Sequence, residues 1–239
     1  MGGLRVLAIV PALNEEASIT KVIEDLKASQ LVNAILIVDD GSVDKTSEIA
    51  ALAGVGVIKH KSNLGVGAAI KTGFQYALEH DFNFALQFDA DGQHRADQIG
   101  ALVDNIGNLD ILIGGRVDSK GRFMSSYSMS RTRKLAIKAL SALVSKYIGK
   151  AIVDSTSGFR LYSQNSINFF SDNFPNRYLG DTVESLYIAH NQGLQIGQIG
   201  IQINERMHGK PSQTSIGAGI RFIEMLFRTM RYHLKNTKK

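Results

Sequence analysis

The sequence contains no cysteine among its 239 residues, which excludes disulfide bonds, thiolate metal sites and cysteine nucleophiles. It also has no apolar run that approaches the roughly 18 to 20 residues needed for a membrane-spanning helix. The apolar run within residues 1–10 is too short for a signal peptide, and no stretch is rich enough in Pro, Gly or Ser to form a linker. We therefore expect one domain that is soluble or peripheral to a membrane.

The charges are distributed unevenly along the chain. Residues 1–115 carry 8 basic and 15 acidic side chains, whereas residues 116–150 carry 9 basic side chains and one acidic side chain. Residues 204–239 are again basic, with 8 basic and 2 acidic side chains. This pattern suggests an acidic half able to hold a metal ion, and basic segments that face an anion or an anionic membrane. Solvated surface charge is the alternative for any single cluster.

Apolar runs alternate with helical patterns over the first 115 residues. Strands are predicted at Leu4–Val10, Ala34–Val38, Val55–Lys59, Phe84–Phe88 and Asp110–Ile113, and helices at Ser18–Ser29, Ser42–Ala53, Val66–Leu78 and Ala96–Asn105. This alternation predicts an α/β fold with a central, mostly parallel sheet flanked by helices. Ligands of such sheets bind at the carboxyl ends of the strands, where the acidic loops of this sequence fall. The pattern favours a nucleotide ligand.

Two polar loops follow the first two predicted strands. They span Pro11–Glu16 and Asp39–Asp44. Carboxylates at adjacent strand ends can accept hydrogen bonds from ribose hydroxyls and from the N–H groups of a base. Because Asp and Asn also favour caps and turns, a purely local role is an equal alternative.

The segment Asn63–Gly73 is rich in glycine at a predicted helix start, which suits close approach to a phosphate. Position 70 is Ile, where the dinucleotide fingerprint requires its third glycine, and the Gly-Lys-Ser/Thr of a P-loop is absent. A hydride-transfer enzyme or an ATPase is therefore disfavoured.

The segment Asp89–His94 (Asp-Ala-Asp-Gly-Gln-His) follows the fourth predicted strand. Two carboxylates separated by one residue, on a turn that Gly92 permits, can bind Mg²⁺ or Mn²⁺ and leave positions open for diphosphate oxygens. An ordinary Asp-rich turn is the alternative. We expect His94 to be a turn residue rather than a metal ligand.

These signals occur together and in order, and in them the sequence resembles glycosyltransferase family 2 with the GT-A fold. The likeness is strongest to dolichol-phosphate mannosyltransferases and bacterial polyprenyl-phosphate glycosyltransferases. The matching segments are Pro11–Glu16, Asp39–Thr46, Asn63–Phe74, Asp89–His94, Gly115-Arg116, Ser130-Arg131, Asp154–Tyr162 and Arg206–Ser212. The resemblance implies a GT-A domain over residues 1–215, with a nucleotide-sugar half at 1–115 and an acceptor half at 116–215.

The resemblance also implies roles for individual residues. The residues that would bind the nucleotide sugar are Pro11, Leu13, Glu15, Asp40, Asp44, Lys71, Asp89 and Gln93. Asp89 and Asp91 would hold Mg²⁺ or Mn²⁺. The residues that would bind the acceptor are Arg116, Arg131, Arg160 and Arg206. Those expected to be catalytic are Asp91, Arg116, Arg131 and Asp181.

Two positions depart from the family pattern. Leu135 stands four positions beyond Arg131, where the lipid-phosphate enzymes usually have a small polar residue. Members that glycosylate hydroxyls have a Glu-Asp pair shortly before a helix-ending glycine, and counting back from Gly193 places Thr182 there. Asp181 is adjacent, so a base is still available.

The resemblance implies an inverting, metal-dependent transfer of a sugar from a nucleoside diphosphate sugar to a polyprenyl phosphate. An acceptor phosphate is already ionised at pH 7 and needs no general base. Transfer to a hydroxyl of a lipid-linked glycan in polysaccharide synthesis, with Asp181 as base, is one alternative. A non-catalytic nucleotide-sugar binding module is another.

Residues 216–239 are predicted to form a basic amphipathic helix. Its apolar positions are Ile216, Ile220, Ile223, Leu226, Phe227, Met230 and Leu234, and its basic positions are Arg221, Arg228, Arg231 and Lys235. We expect this helix to dock on anionic lipid, which would place the protein in the cytoplasm at the inner membrane face. A terminal helix packed on the core is the alternative, and a membrane protein partner could also hold the chain there. No nucleic acid partner is expected.

Overall fold

The computed structural model describes residues 4–118, 122, 131–176 and 180–204. The strands are β1 (Val6–Ala12), β2 (Ala34–Asp39), β3 (Gly56–Lys59), β4 (Phe84–Gln87), β5 (Ile111–Gly115), β6 (Arg160–Ser163) and β7 (Ile196–Gly200). The helices are α1 (Ile19–Ala28), α2 (Thr46–Leu52), α3 (Val66–Glu79), α4 (Ile99–Asn105), α5 (Arg131–Ile148), α6 (Gln164–Asn173) and α7 (Ser185–Asn191). A 3₁₀ turn (Ala96–Gln98) precedes α4, and a π-helical turn (Gly180–Glu184) precedes α7.

The seven strands form one sheet in the order β3-β2-β1-β4-β6-β5-β7. Strand β6 runs antiparallel to β4 and to β5, and the other neighbouring strands are parallel. The predicted α/β fold with a mostly parallel sheet is confirmed. Because β1, β2 and β4 run in the same direction, the loops that follow them meet at one edge of the sheet.

Helices cover both faces of the sheet. On one face α3, α5, α6 and α7 bury apolar side chains such as Phe74, Leu140 and Phe170. On the other face α1 and α4 contribute Ile23 and Leu102, among others. All seven residues of β1 are buried, as expected of a central strand that is covered on both sides.

The second helix begins later than the sequence pattern predicts, at Thr46 instead of Ser42. The Asp39 carboxylate accepts the Ser42 N–H at 2.7 Å, and the Asp44 carboxylate accepts the Thr46 N–H at 3.0 Å. These hydrogen bonds hold the intervening residues in a turn, because short acidic side chains compete with helical bonding.

Most of the second half of the fold was not predicted. The structure adds α5, β6, α6, α7 and β7, and β5 continues to Gly115 because its last two residues pair with β7. The predicted helix at 216–239 lies outside the described residues. Within the described part of the chain, no helix has both the length and the hydropathy to cross a membrane.

Candidate functional site

The loops that follow β1 and β2 are joined by hydrogen bonds. The Asn14 N–H donates to Ser42 Oγ at 2.8 Å, and Asn14 Oδ1 accepts the Val43 N–H at 2.9 Å. The φ of Asn14 is 56°, a left-handed conformation that Asn adopts more readily than most residues. The two loops predicted to bind the nucleoside therefore form one connected unit.

The carboxylates of Glu15 and Asp44 are engaged inside this unit. Ser18 Oγ donates to Glu15 at 2.8 Å, and the Glu16 N–H donates to Asp44 at 3.1 Å. Burial alone would raise the pKa of Asp44, but hydrogen bonds, chiefly from Thr46, hold it below its ordinary value. Asp44 is thus ionised at neutral pH and helps to build the loop.

The apolar residues of the predicted nucleoside pocket differ in accessibility. Pro11 is buried within β1, opposite Val38 of β2. Leu13, just after the strand, is 36% exposed. Of the two, Leu13 presents apolar surface at the edge of the sheet.

Asp40 connects this unit to the glycine-rich segment. Its carboxylate oxygens accept the N–H groups of Leu64 at 2.9 Å and Gly65 at 2.7 Å, and His60 Nδ1 lies 2.8 Å away. Because Asp40 is only 4% exposed, its carboxylate supports the backbone at the start of α3. Asp40, which was predicted to contact the nucleoside, thus shapes the loop at the start of α3.

The glycine-rich segment is explained by helix packing. A Cβ added at Gly67 would lie 2.1 Å from the carbonyl oxygen of Pro175, so glycine allows the chain after α6 to approach the start of α3. Lys71 Nζ donates to the carbonyl oxygen of Asp172 at 3.0 Å, near the end of α6. The ammonium group of Lys71, which was predicted to bind the nucleotide sugar, thus lies at a helix C-terminus, a favourable place for a cation.

Strand β4 leads directly into the turn with the paired carboxylates. The Asp89 side chain is 38% exposed, while Asp91 is 7% exposed and accepts the Gln93 N–H at 3.0 Å. The Gln93 carbonyl oxygen accepts the Asn204 N–H at 2.9 Å. These bonds fix the turn between β4 and the segment that follows β7.

The donor atoms of this turn fit a hard divalent cation, because both side chains offer carboxylate oxygens. Across the described residues, no three or more His, Asp or Glu side chains converge into a ready metal site.

His94 lies behind the turn as a buried side chain. Its Nδ1 accepts the Asp89 N–H at 2.9 Å, and its ring stacks on Phe159 with centroids 4.9 Å apart. Burial lowers the pKa of His94 to about 4; the charge of Asp91 opposes this shift and that of Arg116 adds to it. The imidazole is therefore neutral at pH 7, with Nδ1 committed to the backbone of the turn.

Arg116 follows β5 and is held by Asp154. The pair is bidentate, with Nε 2.6 Å from Oδ2 and Nη2 2.8 Å from Oδ1. Nη2 also donates to Thr156 Oγ1 at 2.9 Å. Burial alone would raise the pKa of Asp154, but Arg116 holds it below its ordinary value. Gly114, two residues before Arg116, pairs with Phe159, on which the His94 ring stacks, so Arg116 follows β5 on the side of the Asp89–His94 turn.

The structure corrects the predicted role of Arg160, whose side chain is fully buried. Its Nε donates to the Ser157 carbonyl oxygen at 2.9 Å, and its Nη2 donates to the carbonyl oxygens of Ser155 at 3.0 Å and Thr182 at 2.6 Å. Its Nη1 donates to Ser185 Oγ at 3.1 Å. A guanidinium enclosed in this way cannot reach a polyprenyl phosphate, and it joins the loop before β6 to the π-helical turn.

The π-helical turn brings Asp181 to the same polar region. Asp181 is 7% exposed, and burial raises its pKa to about 6, against the charge of Arg160 and with a further increase from Asp89. The two carboxyl groups therefore influence each other electrostatically, although they are distant in sequence. A carboxyl group with this pKa can accept a proton near neutral pH.

Two of the predicted residues are not described at the level of their side chains. Arg131 is the first residue of α5, and its side chain lies outside the described part of the structure. Arg206 lies wholly outside it.

The role of Asp154 was not predicted from the sequence. The residue belongs to the matching segment Asp154–Tyr162, but no function was assigned to the aspartate. The polar composition of that segment indicates a loop, but the partner of Asp154 is 38 residues away in the chain. Only the pairing of β5 with β6 brings the two together.

Comparisons with known proteins agree with this geometry. A sequence profile of the family described as Glycosyl transferase family 2 matches residues 7–170. The chain is 30% identical to a UDP-N-acetylglucosamine–dolichyl-phosphate N-acetylglucosaminyltransferase from Methanococcus voltae, over 91% of this chain and 93% of the relative. It is 27% identical to an undecaprenyl-phosphate mannosyltransferase from Micrococcus luteus, over 87% of this chain and 86% of the relative.

A solved structure shows the same fold. Glucosyl-3-phosphoglycerate synthase from Mycobacterium tuberculosis, crystallised with Mn²⁺, UDP-glucose and phosphoglyceric acid, superposes with a TM-score of 0.73. The match covers 96% of this chain and 80% of that one at 19% sequence identity. At this identity the likeness establishes the GT-A fold alone.

Proposed function

Because the chain belongs to glycosyltransferase family 2, we propose that it transfers a sugar from a nucleoside diphosphate sugar to a polyprenyl phosphate, with inversion at the anomeric carbon. The observation that carries this proposal is the Asp89–His94 turn beside the Arg116–Asp154 pair, at the carboxyl edge of the sheet. The chain also aligns over about nine-tenths of its length with enzymes named for polyprenyl-type phosphate acceptors. Family membership disfavours the alternative of a non-catalytic binding module.

In this proposal the two sides of the site have different charges and different tasks. Asp89 and Asp91 face the donor diphosphate, while Arg116, oriented by Asp154, binds the acceptor phosphate. A guanidinium held on one side by a carboxylate presents its remaining edge in a fixed direction, which reduces the entropy lost on binding a phosphate. The acceptor phosphate is ionised at pH 7 and attacks without first losing a proton to the enzyme.

The proposed cofactor is Mg²⁺ or Mn²⁺ on Asp89 and Asp91. When bound, such a cation would stabilise the negative charge that develops on the leaving diphosphate. The carboxylate oxygens of the turn suit it, and the structural neighbour crystallised with Mn²⁺ and UDP-glucose has the same fold.

A second candidate acceptor is a hydroxyl group, and Asp181 is the observation that favours it. Its carboxyl group lies within electrostatic reach of Asp89 and has a pKa of about 6. A hydroxyl acceptor needs a general base, and a carboxylate with this pKa suits that task. The departure at Leu135 from the lipid-phosphate pattern points the same way.

We also propose that the protein acts at the cytoplasmic face of a membrane, because a polyprenyl phosphate resides in a bilayer. The sequence suggests two contacts: the helix predicted at 216–239, and the exposed face of α5. Residues 119–153 contain eight basic side chains and no acidic one. On α5, Lys138 and Lys146 are exposed beside Leu135, which is 70% exposed. An anionic lipid surface complements this face.

The function is tested by supplying the purified full chain with a panel of radiolabelled nucleotide sugars, Mn²⁺ and short-chain polyprenyl phosphate. Transfer is measured as label in the organic phase, and inversion by NMR of the product. The proposal expects acid-labile glycosyl phosphate with one or a few donors. Label that appears only when a hydroxyl-bearing lipid-linked glycan replaces the phosphate would favour the second candidate.

A further inference from the structure

Gln87 is the last residue of β4, two positions before Asp89, and its side-chain amide nitrogen is unusual. Gln87 is 1% exposed. Among the described residues, its Nε2 is the one buried side-chain polar atom without a hydrogen-bond partner. A buried N–H group that lacks a partner destabilises the fold, so its retention calls for a partner that it gains when a ligand binds.

The orientation of the Gln87 amide is fixed by its neighbour Tyr162. Tyr162 Oη donates to Gln87 Oε1 at 3.2 Å. Because a tyrosine has one hydroxyl hydrogen and this bond uses it, the Nε2 side of the amide points away from Tyr162.

Strand pairing explains why Gln87 and Tyr162 meet. Gln87 lies opposite Arg160 in the antiparallel pair of β4 and β6, and Ala85 lies opposite Tyr162. Side chains two residues apart project from the same face of a strand, so Arg160 and Tyr162 share a face beside Gln87. The result is a buried hydrogen bond from Tyr162 to the Gln87 amide, next to the Arg160 side chain.

The Gln87 amide faces the Asp89 carboxylate across a space that Gly158 leaves open. A Cβ added at Gly158 would lie 3.1 Å from each carboxylate oxygen of Asp89 and 3.2 Å from Gln87 Nε2. On another side of Asp89, His94 Nε2 lies 3.4 Å from Oδ2. His94 Nδ1 accepts a backbone N–H, so its Nε2 carries the hydrogen. Two N–H donors thus border one carboxylate.

We propose that Gln87 is a positioning residue for Asp89: once a ligand is bound, its Nε2–H, aimed by Tyr162, donates to the Asp89 carboxylate and selects the oxygen that faces the ligand. The inference rests on the proposed role of Asp89 in binding a divalent cation with the donor diphosphate. It assigns to Gln87 a hydrogen bond that orients a metal-binding carboxylate from behind, an effect worth about 10- to 100-fold in metal affinity in other proteins.

The test is a Mn²⁺ titration of the purified full chain at saturating UDP, and in parallel GDP, with free Mn²⁺ read by EPR. Gln87→Met removes the amide at nearly constant volume. Leu86→Met, at the adjacent position on the opposite face of β4, is the matched control for a methionine in this strand. We expect about tenfold weaker Mn²⁺ binding for Gln87→Met, wild-type binding for Leu86→Met, and unchanged binding of the nucleotide without metal.

Tyr162→Phe provides a second variant that removes only one hydroxyl group. It should weaken Mn²⁺ binding by less than Gln87→Met, and the double variant should be no weaker than Gln87→Met alone, because both changes act through one hydrogen-bonded chain. Equal Mn²⁺ affinity for Gln87→Met and Leu86→Met would overturn the role of Gln87. If Gln87→Met fails to fold, wild-type Mn²⁺ affinity in Tyr162→Phe would overturn it instead. A wild-type chain that binds no Mn²⁺ with either nucleotide would overturn the proposed metal role together with this inference.

Discussion

At the scale of single residues, the polar side chains of the site differ in whether the fold already uses them. Asp40 and Arg160 form hydrogen bonds with backbone groups of neighbouring segments. Asp154 binds Arg116 in a bidentate ion pair. By contrast, the Asp89 side chain is 38% exposed at the end of β4. Most of these polar groups are thus engaged by the protein itself, while Asp89 remains accessible to solvent.

Asp91→Ala tests the metal turn. We expect turnover to fall by at least about 100-fold, which exceeds the usual effect of removing a residue that only hydrogen-bonds to a metal ligand. The fold should survive because Asp91 lies in a turn. The measurement is kcat over a range of Mn²⁺ concentrations, with circular dichroism as the check on folding.

Asp97→Ala is the matched control for that variant. Asp97 is an exposed carboxylate a few residues along the chain, and it pairs with Arg95. An exposed ion pair of this kind contributes little, so activity should change by less than about twofold. If Asp91→Ala retained most activity at saturating Mn²⁺, the turn would not be the metal site.

Asp181→Asn distinguishes the two acceptors. A phosphate acceptor needs no general base, so we expect the variant to keep most of its activity. A hydroxyl acceptor would lose a factor of roughly 100 or more with the base removed. The measurement is kcat with each acceptor at saturating donor, and a large loss with polyprenyl phosphate in a folded variant would reverse our order of the two functions.

At the scale of secondary-structure elements, the contact between α3 and the chain after α6 depends on a missing side chain. We expect Gly67→Ala to destabilise the protein by about 1 to 3 kcal/mol, the usual cost of overpacking, because the new Cβ would lie 2.1 Å from the Pro175 carbonyl oxygen. Urea unfolding measures this change.

Gly100→Ala, in α4, is the matched substitution without a clash. Its Cβ would lie 3.6 Å from Leu31 Cδ1, an ordinary contact, and alanine favours a helix by about 0.5 to 1 kcal/mol over glycine. The two substitutions should therefore have opposite signs. If both substitutions stabilised the protein, the segment around Pro175 would be able to move away from the new Cβ and would not fix the start of α3.

Helix α5 provides a test of membrane binding within the described residues. Lys138→Glu/Lys146→Glu reverses two exposed charges on its outer face. Since each basic residue near an anionic surface contributes about 1 kcal/mol, binding to anionic liposomes should weaken by at least about tenfold. Flotation with anionic and neutral vesicles measures it.

The control variant is Lys21→Glu/Lys27→Glu, which reverses two exposed charges on α1. Helix α1 covers the opposite face of the sheet. A chain ending at Gly217 tests the helix predicted at 216–239 in the same assay. Equal losses for the two lysine pairs would show attraction through net charge alone, and α5 would not be the docking surface.

At the scale of the whole molecule, two buried groups give opposite pH dependences of stability. The pKa of His94 falls from 6.5 to about 4 on folding, so its contribution is present above pH 6.5 and is lost as the pH falls towards 4. The pKa of Asp181 rises from 3.8 to about 6, so its contribution is present below pH 4 and is lost as the pH rises towards 6. Each amounts to as much as about 3 kcal/mol.

Because the two windows overlap, the wild-type free energy of unfolding should change little between pH 4 and 6.5. Asp181→Asn removes one of the opposing effects. The variant should be more stable than wild type at pH 7, and its stability should decline as the pH falls to 4. Urea unfolding across this range, in EDTA, measures both curves; parallel curves for the two proteins would contradict the assignment.

The sequence by itself determined the features that depend on local pattern. Apolar runs that alternate with helical patterns predicted the strands and helices of the first half of the α/β fold. Each element buries one face, and the spacing of its apolar residues shows which face that is. The Asp89–His94 turn was found in the same way, as a carboxylate pair next to an apolar strand. The order of these motifs also identified the family, which the comparisons confirm.

Only the tertiary structure decided which polar groups are free to meet a ligand. Arg160 and Lys71 look like anion-binding residues in the sequence, yet one is buried among carbonyl groups and the other caps α6. The hydrogen bond from Tyr162 to Gln87 exists because β6 pairs antiparallel with β4. The physical reason is that the role of a polar side chain depends on the group it hydrogen-bonds to. Long-range strand pairing determines which group that is, and the local periodicity of the sequence does not encode this pairing.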